Sequence, residues 1–166
     1  MRFEREILPH LDAAHNLARW LTGNDADAAD VVQDAFVRAL SYFDGYRGGD
    51  ARAWLLRIVR NTFYTWARQN RASDATALDP AAHEVAGQAP DPERATLEHA
   101  GRMLLRRAME NLPVEFRETL VLREIEGLPY KEIAHVTGVP MGTVMSRLAR
   151  ARRLLRERLM AREQAS

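Results

Sequence analysis

Tyr130–Arg158, YKEIAHVTGVPMGTVMSRLARARRLLRER, is the stretch that decides the fold. Ile133, Ala134, Val136 and Thr137 supply the packing side of one short helix, and Gly138 offers the permissive backbone where that helix must stop. Pro140 suits the first position of the next helix, because it has no backbone N–H to leave unpaired and its φ is already helical. At about 100° per residue, Val144, Leu148, Ala151 and Leu155 fall on one stripe, with Ser146, Arg150 and Arg153 opposite. The pattern predicts a helix-turn-helix whose second helix packs one side and presents serine and arginine on the other. In such a motif the second helix enters the major groove, where arginine bonds guanine bidentately. An arginine run alone is usually a solvated face. Here the Ile-Ala pair, the Gly turn and the Pro start at their offsets favour DNA.

Working outward, Pro129 opens the helix before the turn, and Pro113 opens an earlier one that runs to Gly127. Asp91-Pro92-Glu93 is a helix start with Asp as N-cap, so a C-terminal helical unit begins there. Ala72 to Gln88 and the following Ala89-Pro90-Asp91-Pro92 lack aromatics and periodicity, and are expected to form a flexible linker. Before it, helical patterns span Phe3 to Thr22, Asp25 to Phe43 and Arg52 to Asn70, with no alternating strand pattern. The expected fold is all-α, with two small helical domains: residues 1–72, an acidic linker 73–91, and residues 92–166.

Composition narrows the chemistry. The chain has 166 residues and no cysteine, which removes disulfides, thiolate metal sites and a Cys nucleophile. No apolar run reaches transmembrane length, and MRFEREILPH is too charged for a signal peptide, so a cytoplasmic location without stable membrane insertion is expected. The net charge of +1 conceals a partition: Asp74 to His99 holds six acids against Arg94, whereas Ala100 to Ser166 holds thirteen bases against eight acids. Segments so different in charge have different tasks.

Two N-terminal helices carry further signals. On Arg52–Asn70, Leu55, Leu56, Val59, Phe63 and Trp66 share a core side, and Trp54, Arg57, Asn61, Tyr64 and Arg68 lie opposite. Aromatics interleaved with arginine suit unpaired nucleic acid, whose bases stack on rings while cations hold phosphate. The competing reading packs Trp54 and Tyr64 under the glycine-rich loop Asp44-Gly45-Tyr46-Arg47-Gly48-Gly49 as core, with the arginines snorkelling. On Asp25–Phe43, Val32, Ala35, Phe36, Ala39 and Phe43 are the buried stripe, and Asp30, Asp34, Val37 and Ser41 stand outside. An apolar residue among acids is either a docking surface or a solvated face.

Taken together, DAADVVQDAFVRAL, FDGYRGGDARAWLLRIVRNTFYTWARQNR and LPVEFRETLVLREIEGLPYKEIAHVTGVPMGTVMSRLARAR resemble a bacterial sigma factor of the extracytoplasmic-function class, over nearly the whole chain outside the linker. The resemblance implies region 2 and region 4 domains that bind the RNA polymerase core, through its β and β′ subunits, and direct it to promoter DNA. It implies that Asp30, Val31, Gln33 and Asp34 meet the polymerase, with Phe36 in the core. It implies that Trp54, Arg57, Asn61, Thr62 and Tyr64 open the minus-10 element and capture a flipped base, so that Asn61-Thr62 is expected to interrupt its helix. It implies that Met145, Ser146 and Arg150 touch the minus-35 element, with Arg147 and Arg153 on phosphates. An anti-sigma factor is a further implied partner; no cofactor, metal or catalytic residue is implied. Met145 stands where relatives carry arginine, so promoter preference should differ, while Pro129 replaces a frequent serine without functional consequence.

Two rival classes fit less well. A helix-turn-helix transcription regulator not bound to core polymerase would need a sensor domain, and the α/β receiver pattern is missing from the first seventy residues. An enzyme acting on nucleic acid would need chemistry that is not provided. His10, His15, His83, His99 and His135 lack metal-ligand spacing, no Gly-rich phosphate loop occurs, and neither Arg38 nor Ser41 has a recognisable base partner.

Overall fold

The computed structural model describes residues 1–73 and 97–165, and among them every regular element is helical. Most of the predicted linker, and the predicted helix start at Asp91-Pro92-Glu93, lie outside the described residues. The N-terminal half contains α1 (Arg2–Glu6), α2 (Leu11–Thr22), α3 (Asp25–Tyr42) and α4 (Ala51–Ser73). The C-terminal half contains α5 (Leu97–Glu110), α6 (Val114–Leu120), α7 (Tyr130–Thr137) and α8 (Met141–Ala165).

The single helix expected over Phe3–Thr22 is divided. Pro9 has no N–H for an α-helical bond, and the chain passes through a short 3-10 turn, Leu8–His10, between α1 and α2. α2 ends on Gly23 at φ +87°, a left-handed value that a side chain would resist. Asn24 then caps α3: its Oδ1 accepts from the Asp27 N–H at 2.8 Å, and its Nδ2 donates to the Asp27 carboxylate at 2.6 Å. Asp50 accepts from the Ala53 N–H at 3.0 Å and starts α4 in the same way. α2, α3 and α4 pack on one another through Leu17, Leu21, Val31, Val32, Ala35, Leu55, Leu56 and Val59, all buried.

In the C-terminal half α6 runs into a widened π turn, Val121–Ile125, where the Glu126 N–H bonds the Val121 carbonyl at 3.0 Å. Gly127, at φ +66°, then reverses the chain and lets the Leu128 N–H reach the Leu122 carbonyl at 3.0 Å, so the predicted stop falls where expected. The tight turn also follows the prediction: Gly138 ends α7 at φ +70°, and α8 begins immediately after Pro140. Val144, Leu148 and Ala151 form the buried stripe of α8, with Leu155 partly covered.

The two halves are not separate. A single cluster of buried apolar side chains runs through both, from Leu17, Leu56 and Val59 to Leu122, Ile133 and Leu148. α7 lies on α4, and α6 lies on α2. Leu56 has no solvent exposure, so Leu56→Ala should lower stability by about 2–5 kcal/mol, read as a fall in the urea midpoint. Val37 on the outer face of α3 is 58 % exposed, and Val37→Ala should stay within about 0.5 kcal/mol of the parent.

Candidate nucleic-acid interface

α4 is one unbroken helix, so the expected interruption at Asn61-Thr62 is not found. The reason lies in the Thr62 hydroxyl, which turns inward and donates to the Ile58 carbonyl at 2.7 Å, a bond compatible with helix. Thr62 is fully buried, and therefore cannot share a surface with Arg57 and Asn61, which are exposed. Trp54 is half-buried in a ring cluster: its centroid lies 6.2 Å from Phe43 and 5.1 Å from Tyr46, on the glycine-rich loop. The packing reading of Trp54 is thus realised in this arrangement. Arg2 adds a cation 5.7 Å from the Phe43 ring and 5.6 Å from the Tyr46 ring, joining α1 to the loop.

Tyr64 packs too, but against the other half of the chain. Its hydroxyl donates to Glu118 Oε2 at 3.2 Å. Arg60 binds the same carboxylate with both arms of its fork, Nε to Oε2 at 3.2 Å and Nη2 to Oε1 at 3.3 Å, while its guanidinium carbon sits 4.3 Å over the Tyr64 ring. Glu118, on α6, has no solvent exposure. Burial pushes the Glu118 carboxyl up, against the opposing pull of the Arg60 and Tyr64 hydrogen bonds. Burial also pushes the Tyr64 phenol up to about 12, with the Glu118 charge adding to it, so the hydroxyl remains a donor at physiological pH. Neither Arg60 nor Glu118 stood out in the sequence, because the first sits at the edge of the presented face and the second lay in a helix with no functional pattern.

Other polar bonds tie the halves together around this pair. Arg57 Nη1 lies 3.4 Å from His135 Nδ1 on α7, and Arg117 Nη2 donates to the Leu21 carbonyl at 3.3 Å. Glu126, just after the π turn, accepts from Asn16 at 3.3 Å and pairs with Arg52 at 3.8 Å. The residues at 57, 60, 61 and 64 form one stripe of α4, at helical spacings of three and four. The C-terminal half reaches three of them, Arg57, Arg60 and Tyr64.

The remaining sets are placed differently. On α8, Met145, Ser146, Arg150 and Arg153 are exposed, whereas Arg147 is partly covered and its Nη1 is buried without a hydrogen-bond partner. On α3, Asp30, Gln33 and Asp34 are exposed together, beside Val37 and Leu40 at 58 % and 55 % exposure. Val31, expected on that surface, is completely buried, so it supports the helix from behind. Phe36 is partly buried against the core. Among the described residues, no group of three or more His, Cys, Asp or Glu is placed to hold a metal, and no helix is long and apolar enough to cross a membrane.

A helical pair of units, the first with an aromatic and basic helix and the second ending in a helix-turn-helix, is the arrangement of the sigma-70 proteins. Residues 7–73 match the Sigma-70 region 2 family, and residues 102–155 match Sigma-70, region 4. The ECF RNA polymerase sigma factor SigE of Mycolicibacterium smegmatis is 38% identical over 155 residues, 92% of this chain and 60% of that one. The ECF RNA polymerase sigma-E factor of Escherichia coli K12 is 38% identical over 134 residues, 76% of this chain and 70% of that one. Among solved structures, the sigma factor RpoE in complex with the anti-sigma factor NepR, from Bartonella quintana, superposes with a TM-score of 0.77 at 29% identity, over 96% of this chain and 97% of that one. CnrH in complex with the cytosolic domain of CnrY gives 0.66 at 30%, over 96% and 88%. The chain belongs to the extracytoplasmic-function class of sigma factors.

The ring cluster around Trp54 makes a direct test of packing possible. Trp54→Ala should destabilise the free protein by about 3 kcal/mol in a denaturant titration, the lower end for loss of a large aromatic. Asn61→Ala, exposed on the same helix, should leave the midpoint unchanged within error.

Proposed function

We propose that this chain binds the RNA polymerase core and directs it to specific promoters, with three surfaces sharing the work. The observation that carries this reading is the match of both halves, in order, to regions 2 and 4, together with exposed acidic and basic faces on the corresponding helices. Asp30, Gln33 and Asp34 on α3 dock on the polymerase β and β′ subunits, with Val37 and Leu40 as the apolar part of the footprint. Arg57, Asn61 and Tyr64 on α4, supported by Trp54 behind them, engage the minus-10 element as it opens. Met145, Ser146, Arg150 and Arg153 on α8 read or hold the minus-35 duplex, and Arg147 joins them on a phosphate when it turns outward. Residues 1–72 and 92–166 act as the two domains, and neither contributes a catalytic group.

An anti-sigma factor is the expected antagonist. Support comes from the solved relative RpoE, which is in complex with the anti-sigma factor NepR, and from the close approach of the two halves here.

Charge reversal tests the docking face. Asp34→Arg should abolish competition for core polymerase in a pull-down while circular dichroism stays unchanged; normal competition by a folded variant would remove the assignment. Arg150→Ala should weaken binding of duplex minus-35 DNA by about 1–3 kcal/mol, the range for a lost bidentate base contact. Asn61→Ala should leave closed complexes intact and reduce permanganate reactivity of minus-10 thymines in the holoenzyme. Undiminished thymine reactivity would return α4 to a purely structural role.

A further inference from the structure

Glu118 is a fully buried acid that the proposed function leaves without a task. Its partners are not incidental. A guanidinium fork and a phenol, converging on two oxygens of one anion, are the groups that bind a backbone phosphate next to a stacked base. Both lie on the α4 stripe with Arg57 and Asn61, and Arg60 Nη1 also approaches Asn61 Oδ1 at 3.5 Å. The anion here comes from the chain's own other half, fifty-eight residues further along.

We propose that Arg60 and Tyr64 form a phosphate site for the unpaired promoter strand, and that Glu118 occupies this site in a closed, self-masked form of the chain. The proposal rests on the reading of α4 as the minus-10 surface. Four features support the masking. The carboxylate satisfies the Arg60 fork with the two-oxygen geometry a phosphate would use. α7 lies along α4 and places His135 on Arg57. The apolar cluster is continuous across the two halves, so burial holds them near balance and loss of the ion pair is enough to tip it. Finally, a buried ion pair adds little net stability while its loss on one side is costly, so the pair serves as a discriminating catch, released when another anion takes Glu118's place. Opening then frees both the phosphate site and the rest of the stripe.

Two experiments on the full chain test this. In the first, Glu118→Gln keeps the side-chain shape and removes the charge. Small-angle scattering of the free protein should show expansion, and a short fluorescent oligo(dT) should bind about tenfold more tightly if the closed form makes up about nine-tenths of the parent population. Adding Arg60→Ala to Glu118→Gln should erase that gain. Unchanged scattering would overturn the catch, and expansion without tighter binding would overturn the occupied-site claim. A gain that survives Arg60→Ala would do the same, because the phosphate would then be bound elsewhere.

The second experiment leaves Glu118 intact, in case its variant fails to fold. The chain has no cysteine, so Arg57→Cys with His135→Cys can be bridged by a short bismaleimide. With the open tenth removed, the bridged protein should lose the oligo(dT) binding that the same variant capped with N-ethylmaleimide retains. Equal binding would overturn the masking. The scattering arm uses no nucleic acid, so its failure condemns the catch alone. An expanded protein whose permanganate pattern is insensitive to Asn61→Ala condemns the minus-10 reading instead.

Discussion

A carboxylate with no contact to water is tolerated only where cations and donors replace its hydration, and Glu118 imposes that condition on the whole molecule. Arg60 and Tyr64 meet it from α4, while Arg147 on α8 contributes a favourable charge from the other side. The three partners belong to both halves, so the environment exists only while the halves are together. Because desolvation and attraction nearly cancel in such a pair, the apolar cluster supplies most of the holding energy. The ionic clasp supplies the register. Under the proposed opening, the net free energy of closure is a small difference between burial gained and polar solvation lost.

α4 bears the consequences, because it has to satisfy two neighbours with one helix. Leu55, Leu56, Val59 and Phe63 commit one side to α2 and α3, and Thr62 closes its own hydroxyl onto Ile58 without breaking the helix. At the N-terminal end Phe43 and Tyr46 stack beneath Arg2, Trp54 packs against both rings, and the group anchors the glycine-rich loop. On the remaining circumference, Arg60 and Tyr64 meet either Glu118 or another anion but not both. Competition between the two follows from the limited perimeter of a helix rather than from a dedicated regulatory element.

Much of this was legible in the sequence because it is local. The positive φ at Gly23, Gly127 and Gly138, the start of α8 after Pro140 and its Val144-Leu148-Ala151 stripe are set by backbone freedom and helical period, which short windows contain. The division of the first helix at Pro9 had an equally local signal that the apolar pattern overrode. Val31 and Thr62 failed for another reason: neighbours one position away on a helix differ by about 100°, so a motif transferred as a block carries inward-facing residues with outward-facing ones. The Glu118 clasp was not legible at all. It pairs residues far apart in sequence, and nothing in LPVEFRETLVL distinguishes a buried acid from the solvated glutamates beside it.

The remaining asymmetry is between the two helices proposed to meet DNA. Met145, Ser146, Arg150 and Arg153 stay open in the closed arrangement, so under the proposed reading duplex can meet α8 while α4 is still covered. Binding there shifts the balance between closed and open only if α8 holds DNA differently in the two forms. Met145, Ser146, Arg150 and Arg153 are already exposed with the halves together, so opening has little to add to them. Arg147 is the exception: its guanidinium is turned inward, one nitrogen is buried and unpaired, and its charge supports Glu118. A phosphate that drew Arg147 outward would satisfy that nitrogen and withdraw a favourable charge from the buried carboxylate in the same movement. In the proposed scheme, coupling between minus-35 binding and release of α4 passes through Arg147 alone, and its size is bounded by what one partly buried cation contributes to Glu118.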